Sequence, residues 1–314
     1  MIPVYNGRYK VFTQKAGSGR INLLLLHGGP LHSHEYFELF PEILNSHEIA
    51  VYFYDQLGSY HSDQPGDSSL WNTDRFVEEI EDVRKGLGLT DFYVLGHYTG
   101  GLLAELYAQK YGQYLKGIIL SNIPSFSLLP KDSKILQNIF DSLRNVVTEK
   151  AAALPYLARY KAQIDSLQKG QLLTKTTEST KLEQRYILAV DSIFERTTNY
   201  NKPGHLPESY ARNKLHVKGR DKEMRAAFNQ IRLPDYLQIV KNIRQPTLLL
   251  GAQNDFALGD GYDDLKASMT KAKVRVYICP TGSHFAMWDD TENYFRELIK
   301  FISEVEANTF NPGK

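Results

Sequence analysis

Up to residue 122 the chain alternates short apolar runs with segments of helical periodicity. The apolar runs predict buried strands at Tyr9–Gln14, Ile21–Leu26, Ile49–Tyr54, Phe92–Leu95 and Gly117–Leu120. Residues 73–87 place apolar side chains at helical spacing, which predicts a helix capped by Asn72 or Thr73. Such alternation is typical of a mostly parallel sheet covered by helices.

The pattern changes near Pro124. From there to Leu237 the chain is rich in Lys, Gln, Glu and Tyr and has helical periodicity without clear strand–helix alternation. The alternation resumes with predicted strands at Gln245–Gly251 and Val274–Pro280 and an amphipathic helix over residues 290–307. This order indicates a helical insertion between two halves of one sheet.

We therefore predict an α/β core formed by residues 1–123 and 241–314, with residues 124–240 as a helical cap, or lid. At 314 residues the chain is long enough for one large α/β domain with such an insertion. Apolar residues make up 42%, which is enough for a substantial core.

Composition narrows the possible partners and compartment. Lys and Arg (37) nearly balance Asp and Glu (36), so the overall charge does not indicate nucleic acid or an anionic membrane as partner. The one cysteine, Cys279, allows no internal disulfide, which favours a reducing compartment. The N-terminus lacks the pattern of a secretion signal, and no apolar run is long enough to span a bilayer. We expect a cytoplasmic protein; nothing in the composition indicates an oligomeric state.

The stretch "FYVLGHYTGGLLAELYA" at residues 92–108 has the order strand, glycine turn, helix. This is the context of a nucleophile elbow, whose pattern is Gly-x-Ser-x-Gly. Gly96 and Gly100 match the two glycines, and Tyr98 stands at the position of the serine.

Other loops that follow predicted strands carry the remaining chemistry. The Gly28–Gly29 pair could aim backbone N–H groups into a cavity, as an oxyanion hole requires, although such a pair alone is more often a tight turn. Asp255 and His284 each follow a strand late in the chain. The order of elbow, acid and histidine is that of α/β-hydrolases.

Together these motifs resemble the proline iminopeptidase family of α/β-hydrolases. The resemblance covers nearly all of residues 7–122 and 241–306 and is weak within the predicted cap. It implies the α/β-hydrolase fold, a mostly parallel central sheet with an inserted helical cap, and a small-molecule or short-peptide substrate. It is carried by "HGGP" at 27–30, "DQLGS" at 55–59, "SDQP" at 62–65, "LGH-x-x-GG" at 95–101 and "GSHFAMWDD" at 282–290.

The resemblance also implies roles for individual residues. Asp255 matches the triad acid and His284 the triad base. Gly29 and the Thr99 N–H match the oxyanion donors, with Gly28 shaping the turn.

Substrate-binding residues follow from the same resemblance. Glu35 matches an acidic residue that helps bind the substrate's free amino terminus; the alternative is an exposed residue at the start of a helix. Glu223 is a second candidate, within the cap. Leu31 and Tyr60 stand where the family has small residues, so with Tyr98 they indicate a remodelled pocket.

Tyr98 changes the expected mechanism. A serine oxygen lies one bond beyond Cβ, beside the oxyanion hole, whereas a tyrosine hydroxyl lies a whole ring farther out. An acyl group on Tyr98 would therefore be far from the oxyanion donors. Thr99 is a poor substitute, because His97 would then occupy a position of the tight turn that needs a small residue.

Three functions fit these residues, and a hydrolase of the iminopeptidase type ranks first. Its nucleophile would be water activated by His284 and Asp255, with Tyr98 orienting substrate or donating a proton, or a serine at position 98 in a parent sequence. The second is a lyase, isomerase or cyclase with His284 as base and Tyr98 as acid. The third is a catalytically silent binding protein.

No cofactor or metal is predicted from the sequence. The histidines lack the paired spacing of a zinc site, and no glycine-rich phosphate loop is present.

Overall fold

The computed structural model describes residues 1–28, 32–123, 233–255 and 261–313. In these ranges a seven-stranded sheet has the order β3-β5-β4-β6-β7-β8-β9. Its strands are parallel except β3, which pairs antiparallel with β5. The strands are β3 (Thr13–Ala16), β4 (Ile21–Leu26), β5 (Ile49–Tyr54), β6 (Phe92–His97), β7 (Leu115–Ser121), β8 (Thr247–Ala252) and β9 (Val274–Cys279), and a separate hairpin joins β1 (Ile2–Val4) to β2 (Tyr9–Val11). This sheet confirms the predicted fold class.

Helices cover both faces of the sheet because successive strand residues point to opposite sides. Leu24 and Leu26 of β4 enter one apolar core, and Leu23 and Leu25 enter the other. Among the described helices, α2, α3, α4 and α5 contribute to the first core, and α1, α6 and α7 to the second. They are α1 (Leu39–Leu44), α2 (Thr73–Leu87), α3 (Thr99–Tyr111), α4 (Leu233–Asn242), α5 (Gly261–Ser268), α6 (Ala286–Asp289) and α7 (Thr291–Glu306).

One predicted strand is divided in the structure. The run Tyr9–Gln14 breaks at Phe12 into β2 and β3, which pair with different strands. The reason is visible at Phe12, whose N–H donates to Ser62 Oγ at 2.9 Å and whose carbonyl accepts from the Asp55 N–H at 3.1 Å. The backbone N–H and carbonyl of Phe12 are therefore hydrogen-bonded to the loop that follows β5.

The start of α2 is as predicted. The Asn72 side chain accepts a hydrogen bond from the Arg75 N–H at 2.8 Å, which identifies Asn72 rather than Thr73 as the cap. The helix ends at Gly88, whose φ of 68° suits a residue without Cβ.

Residues 124–232, most of the predicted cap, lie outside the described residues. Helix α4 crosses the predicted boundary at residue 240 and packs on α3. The Tyr236 hydroxyl lies 2.9 Å from both carboxylate oxygens of the buried Glu105. Burial raises the pKa of Glu105 to about 8. The predicted boundary thus divides a helix that is anchored to the core.

In the described part of the chain, no helix combines the length and apolar character needed to cross a membrane.

Candidate active site

The turn between β6 and α3 has the backbone of a nucleophile elbow. Tyr98 has φ 53° and ψ −120°, a conformation that residues with a side chain rarely adopt. Its N–H donates to the Ser121 carbonyl and its carbonyl accepts from the Gly101 N–H, both at 3.0 Å. The elbow is therefore formed with a tyrosine at its apex.

The two glycines of the motif are required by close backbone contacts. A Cβ on Gly96 would lie 2.2 Å from the Gly100 carbonyl oxygen. A Cβ on Gly100 would lie 2.2 Å from the carbonyl oxygen of Leu26. The first turn of α3 thus rests directly on the ends of β4 and β6, and only glycine permits this approach.

His284 and Asp255 form a buried pair at the ends of β9 and β8. His284 Nδ1 lies 3.1 Å from Asp255 Oδ1, and both residues are 8% exposed. When Nδ1–H donates to this carboxylate, Nε2 is left as the proton acceptor. The pair therefore has the arrangement of a general base with its orienting acid.

Asn122 joins the acid loop to the histidine loop. Its Nδ2 group donates to Asp255 Oδ2 at 2.7 Å and to the Ser283 carbonyl at 3.1 Å. Asn122 directly follows β7 and has φ 49°, a region that asparagine tolerates better than most residues. Asn122 is not among the residues predicted from sequence, although an asparagine at the end of a parallel strand was an available signal.

Two further side chains fix the histidine loop and were also missed from sequence. His97 Nε2–H donates to the His284 carbonyl at 2.9 Å. Burial, followed by the nearby His284, lowers the pKa of His97 to about 3, so this ring is neutral. Asp289 accepts hydrogen bonds from the Ser283 N–H and Oγ–H. Asp289 lies within the motif "GSHFAMWDD", but its role depends on contacts that sequence spacing does not reveal.

The side chain of Tyr98 lies against the His284–Asp255 pair. Its ring centroid is 5.1 Å from that of His284, and the rings meet edge to face at 83°. The structure thus brings Tyr98, His284 and Asp255 together. The tyrosine ring lies beside the histidine at the apex of the elbow.

Gly28 contacts the elbow but does not donate into the site. Its N–H donates to the Tyr36 hydroxyl at 2.6 Å, so this N–H is not directed at the site. The role left for Gly28 in the predicted oxyanion loop is to shape the turn. A Cβ on Gly28 would lie 3.0 Å from Tyr98 Cβ, which shows how closely the turn approaches the elbow. Thr99 begins α3, while Gly29 and Leu31 lie outside the described residues.

His27 holds this turn from the other side. Its Nδ1–H donates to the Gly28 carbonyl at 2.8 Å, and its Nε2 accepts from the Gln56 N–H at 3.0 Å. Burial lowers the pKa of His27, which keeps the ring neutral for these roles. The loop after β5 therefore positions the loop after β4.

Glu35 lies inside the protein rather than on its surface. It belongs to a short 3-10 helix, His34–Phe37, and is 2% exposed, so the alternative of an exposed helix residue is wrong. His61 Nε2–H donates to Glu35 Oε1 at 2.6 Å. Burial raises the pKa of Glu35, but hydrogen bonds from Ser33 and His61 outweigh it, and the net pKa is lowered.

The neighbouring side chains surround Glu35 with rings and a second carboxylate. Tyr60 is half-exposed and meets the His61 ring edge to face at 5.0 Å. Asp55 Oδ1 accepts from the His34 N–H at 2.7 Å and lies 3.0 Å from His34 Nδ1. Burial lowers the pKa of His34, but the bond to Asp55 outweighs it, and the pKa is raised. The other predicted binding residue, Glu223, lies outside the described residues.

One group in the described residues has metal-ligating side chains within reach of each other. One ligand atom each from His34, Glu35 and His61 lies within 4.8 Å of the others. This group is not predictable from sequence spacing, because its histidines come from separate loops.

Comparisons with known proteins agree with this fold. A family model described as the alpha/beta hydrolase fold matches residues 21–291. A proline iminopeptidase of Elizabethkingia meningoseptica is 33% identical, over 99% of this chain and 100% of the relative. One of Flavobacterium johnsoniae is also 33% identical, with the same coverage.

The fold is also similar to that of solved structures. The crystal structure of a proline iminopeptidase from Mycobacterium smegmatis superimposes with a TM-score of 0.68 at 17% identity, covering 98% of this chain and 99% of that one. At this identity the likeness concerns the fold alone. With the family match and the 33% identical relatives, the chain belongs to the α/β-hydrolase family, with proline iminopeptidases among its relatives.

Proposed function

We propose that the protein is an iminopeptidase-like hydrolase that removes an N-terminal residue from a short peptide or cleaves a related small amide or ester. The observation that carries the proposal is the buried His284–Asp255 pair beside the elbow. Three side chains from other positions (His97, Asn122 and Asp289) hold the two catalytic loops. The full-length relatives named proline iminopeptidase support the same class of reaction.

The proposed nucleophile is water. His284 Nε2 removes a proton from the water as its oxygen attacks the scissile carbonyl carbon, and Asp255 stabilises the imidazolium. The N–H groups of Thr99 and Gly29 are proposed to bind the developing oxyanion. The imidazolium then returns the proton to the leaving amine or alcohol.

Tyr98 is proposed to orient the substrate or to donate a proton rather than to form an acyl intermediate. Its Cβ has the elbow position, so its hydroxyl lies a ring's width beyond the place where a serine oxygen would be. The contact of its ring with His284 at 5.1 Å supports a role beside the general base.

Glu35 is proposed to bind the substrate's ammonium group. A buried carboxylate with a lowered pKa is ionised at neutral pH and attracts a cation strongly in a low-dielectric site. The bulky Tyr60 and Leu31 are proposed to narrow the same cavity. Glu223 stays a second candidate for the ammonium group.

The test is release of chromophore from proline and alanine arylamides by the protein and by its Tyr98→Ser variant. Serine would place an oxygen at the apex of an already formed elbow, so we expect the variant to be faster by about 10²-fold or more. We expect slow but measurable release by the unaltered protein.

His284→Ala in both backgrounds is the matched control. It removes the base, so release should fall steeply in each, to the residual rate that the oxyanion hole and substrate binding support. The proposal is abandoned if the folded, unaltered protein releases no chromophore; release by Tyr98→Ser alone would mean that Tyr98 silences an otherwise intact site. Release that is undiminished in His284→Ala would exclude the proposed base.

A further inference from the structure

A second constellation of chemically active side chains lies in the loops that follow β4 and β5. His34 and Glu35 come from the first loop and His61 from the second. Their ligand atoms lie within 4.8 Å of one another, and His61 Nε2 is 2.6 Å from Glu35 Oε1. Two tetrahedral ligands, each about 2.0–2.2 Å from one metal ion, lie about 3.3–3.6 Å apart, which is between the His61–Glu35 contact and the 4.8 Å limit of the group.

His34 has the outer-sphere partner expected of a metal-binding histidine. Its Nδ1 lies 3.0 Å from Asp55 Oδ1, and the same oxygen accepts from the His34 N–H. A carboxylate bonded to one ring nitrogen fixes the tautomer and leaves the other nitrogen as a ligand. Asp55 is fully buried, and its Oδ2 has no hydrogen-bond partner in the described residues.

Aromatic packing restricts both histidine rings. Phe12 stacks on His34 with centroids 4.7 Å apart and an angle of 16° between the planes, and it lies 5.2 Å from the His61 ring. Side-chain exposure is 8% for His34, 3% for Glu35 and 33% for His61. The group is therefore preorganised on one side and open to solvent on the other, which gives an ion a route of entry.

We propose that His34, Glu35 and His61 form a binding site for a divalent transition-metal ion of the Zn²⁺ type. Two imidazoles and one carboxylate favour zinc, cobalt or nickel over magnesium or calcium, which prefer oxygen ligands. On binding, the ion replaces the proton shared by His61 and Glu35, and that proton is released to solvent. A water molecule completes the coordination on the open side.

The proposal does not depend on the proposed hydrolase function, but both involve Glu35. An ion at this site would occupy the carboxylate that is proposed to bind the substrate's ammonium group. Metal binding is therefore measured without substrate, so that failure of one proposal is distinguishable from failure of the other.

The experiment is titration of untagged, chelator-treated protein with ZnCl₂, with free Zn²⁺ read by a chromophoric chelator. We expect one ion per chain, and at least about 10-fold weaker binding for His61→Ala and for the isosteric Glu35→Gln. Asp55→Asn should weaken binding about 10–100-fold through His34. His47→Ala, which removes an exposed histidine outside the group, should bind as the unaltered protein does.

A Co²⁺ titration supplies an independent readout, because its visible spectrum reports the coordination geometry. We expect the intense absorption of a four- or five-coordinate ion, lost in His61→Ala. Thermal unfolding of each apo variant checks that it is folded. The proposal is overturned if the folded protein binds no Zn²⁺, or if His61→Ala and Glu35→Gln bind it as tightly as His47→Ala does.

Discussion

The two sides of the candidate active site are built by different means. On the histidine side, the loops of Asp255 and His284 are held by hydrogen bonds from the side chains of Asn122, His97 and Asp289. On the nucleophile side, the elbow is held by backbone hydrogen bonds and by the close approach of glycines to neighbouring strands.

This difference explains how the nucleophile side accommodates a tyrosine. The contacts that define the elbow involve the backbone of residue 98 and the glycines around it, and none of them requires a particular side chain at the apex. The histidine side also has backbone hydrogen bonds, such as the one from the Asn254 N–H to the Gly282 carbonyl at 3.0 Å, but side chains from other positions join its loops as well. The side chain at the apex can therefore differ without altering the fold. On the histidine side, the role of each side chain that holds a loop can be tested by substitution.

The largest effect is expected from a substitution that disrupts the backbone packing of the elbow. Gly100→Ala places a Cβ 2.2 Å from the Leu26 carbonyl oxygen, and this backbone atom has no flexible end that could move away. We expect the free energy of unfolding to fall by about 3 kcal/mol or more, as measured by urea denaturation. Gly66→Ala is the control, because a Cβ there meets nothing within 4 Å. Equal stability of the two variants would refute the role of backbone packing.

A smaller effect is expected on the histidine side. Asn122→Ala removes the donor to Asp255 Oδ2 and leaves a buried carboxylate oxygen unsatisfied. We expect a loss of about 2 kcal/mol, which corresponds to about 30-fold in kcat/KM. The measurement is arylamide hydrolysis, in the Tyr98→Ser background if that variant is faster.

Asn308→Ala is the matched control for this variant. Asn308 also has positive φ, at 56°, but it lies on the surface after α7. Alanine at position 308 carries a similar conformational cost at positive φ, and it is remote from the site. If both variants lose the same activity, the hydrogen bond from Asn122 is not what holds Asp255.

The last effect is spread over several pH units and is the smallest per unit; it concerns the helix that follows the elbow. Glu105 has a pKa of about 8 in the folded protein, against an ordinary value of 4.5. Below about pH 4.5 it is protonated in both folded and unfolded chains; between there and pH 8 only the unfolded chain loses the proton. The contribution of Glu105 to the free energy of unfolding therefore falls as pH rises, by at most about 1.4 kcal/mol per pH unit.

Glu105→Gln should remove this pH dependence. The variant should gain stability relative to the unaltered protein between about pH 5 and pH 8 and show no further gain above that range. Urea unfolding at several pH values measures the difference. A difference that stays constant across this range would mean that Glu105 is ionised in the folded protein.

The fold and the three central residues of the site are predictable from sequence for a physical reason. Apolar runs and helical spacing record which residues are buried, and the ends of adjacent parallel strands meet at one edge of the sheet. Tyr98, Asp255 and His284 all follow such strands. The division of Tyr9–Gln14 at Phe12 could not be read from its pattern, because it depends on hydrogen bonds from a loop about fifty residues away.

The supporting residues were not predictable in the same way. Asn122, His97 and Asp289 act through single hydrogen bonds across loops, and such contacts leave no periodic signal. The burial of Glu35 and its approach to His61 also result from tertiary packing, with the partner in another loop. Sequence patterns locate the strands on which the chemistry depends, and packing decides which polar side chains meet.

Both flanks of residues 124–232 touch the same helix. Ile123, at the exit, packs against Gly101 of α3, and Tyr236, just past the return, is bonded to Glu105 of α3. The described residues on either side of this segment are therefore both anchored to one helix of the core. For protein engineering, Ile123 and Leu233 are the junctions at which we would join a relative's segment, because the contacts of both flanks with α3 would be kept.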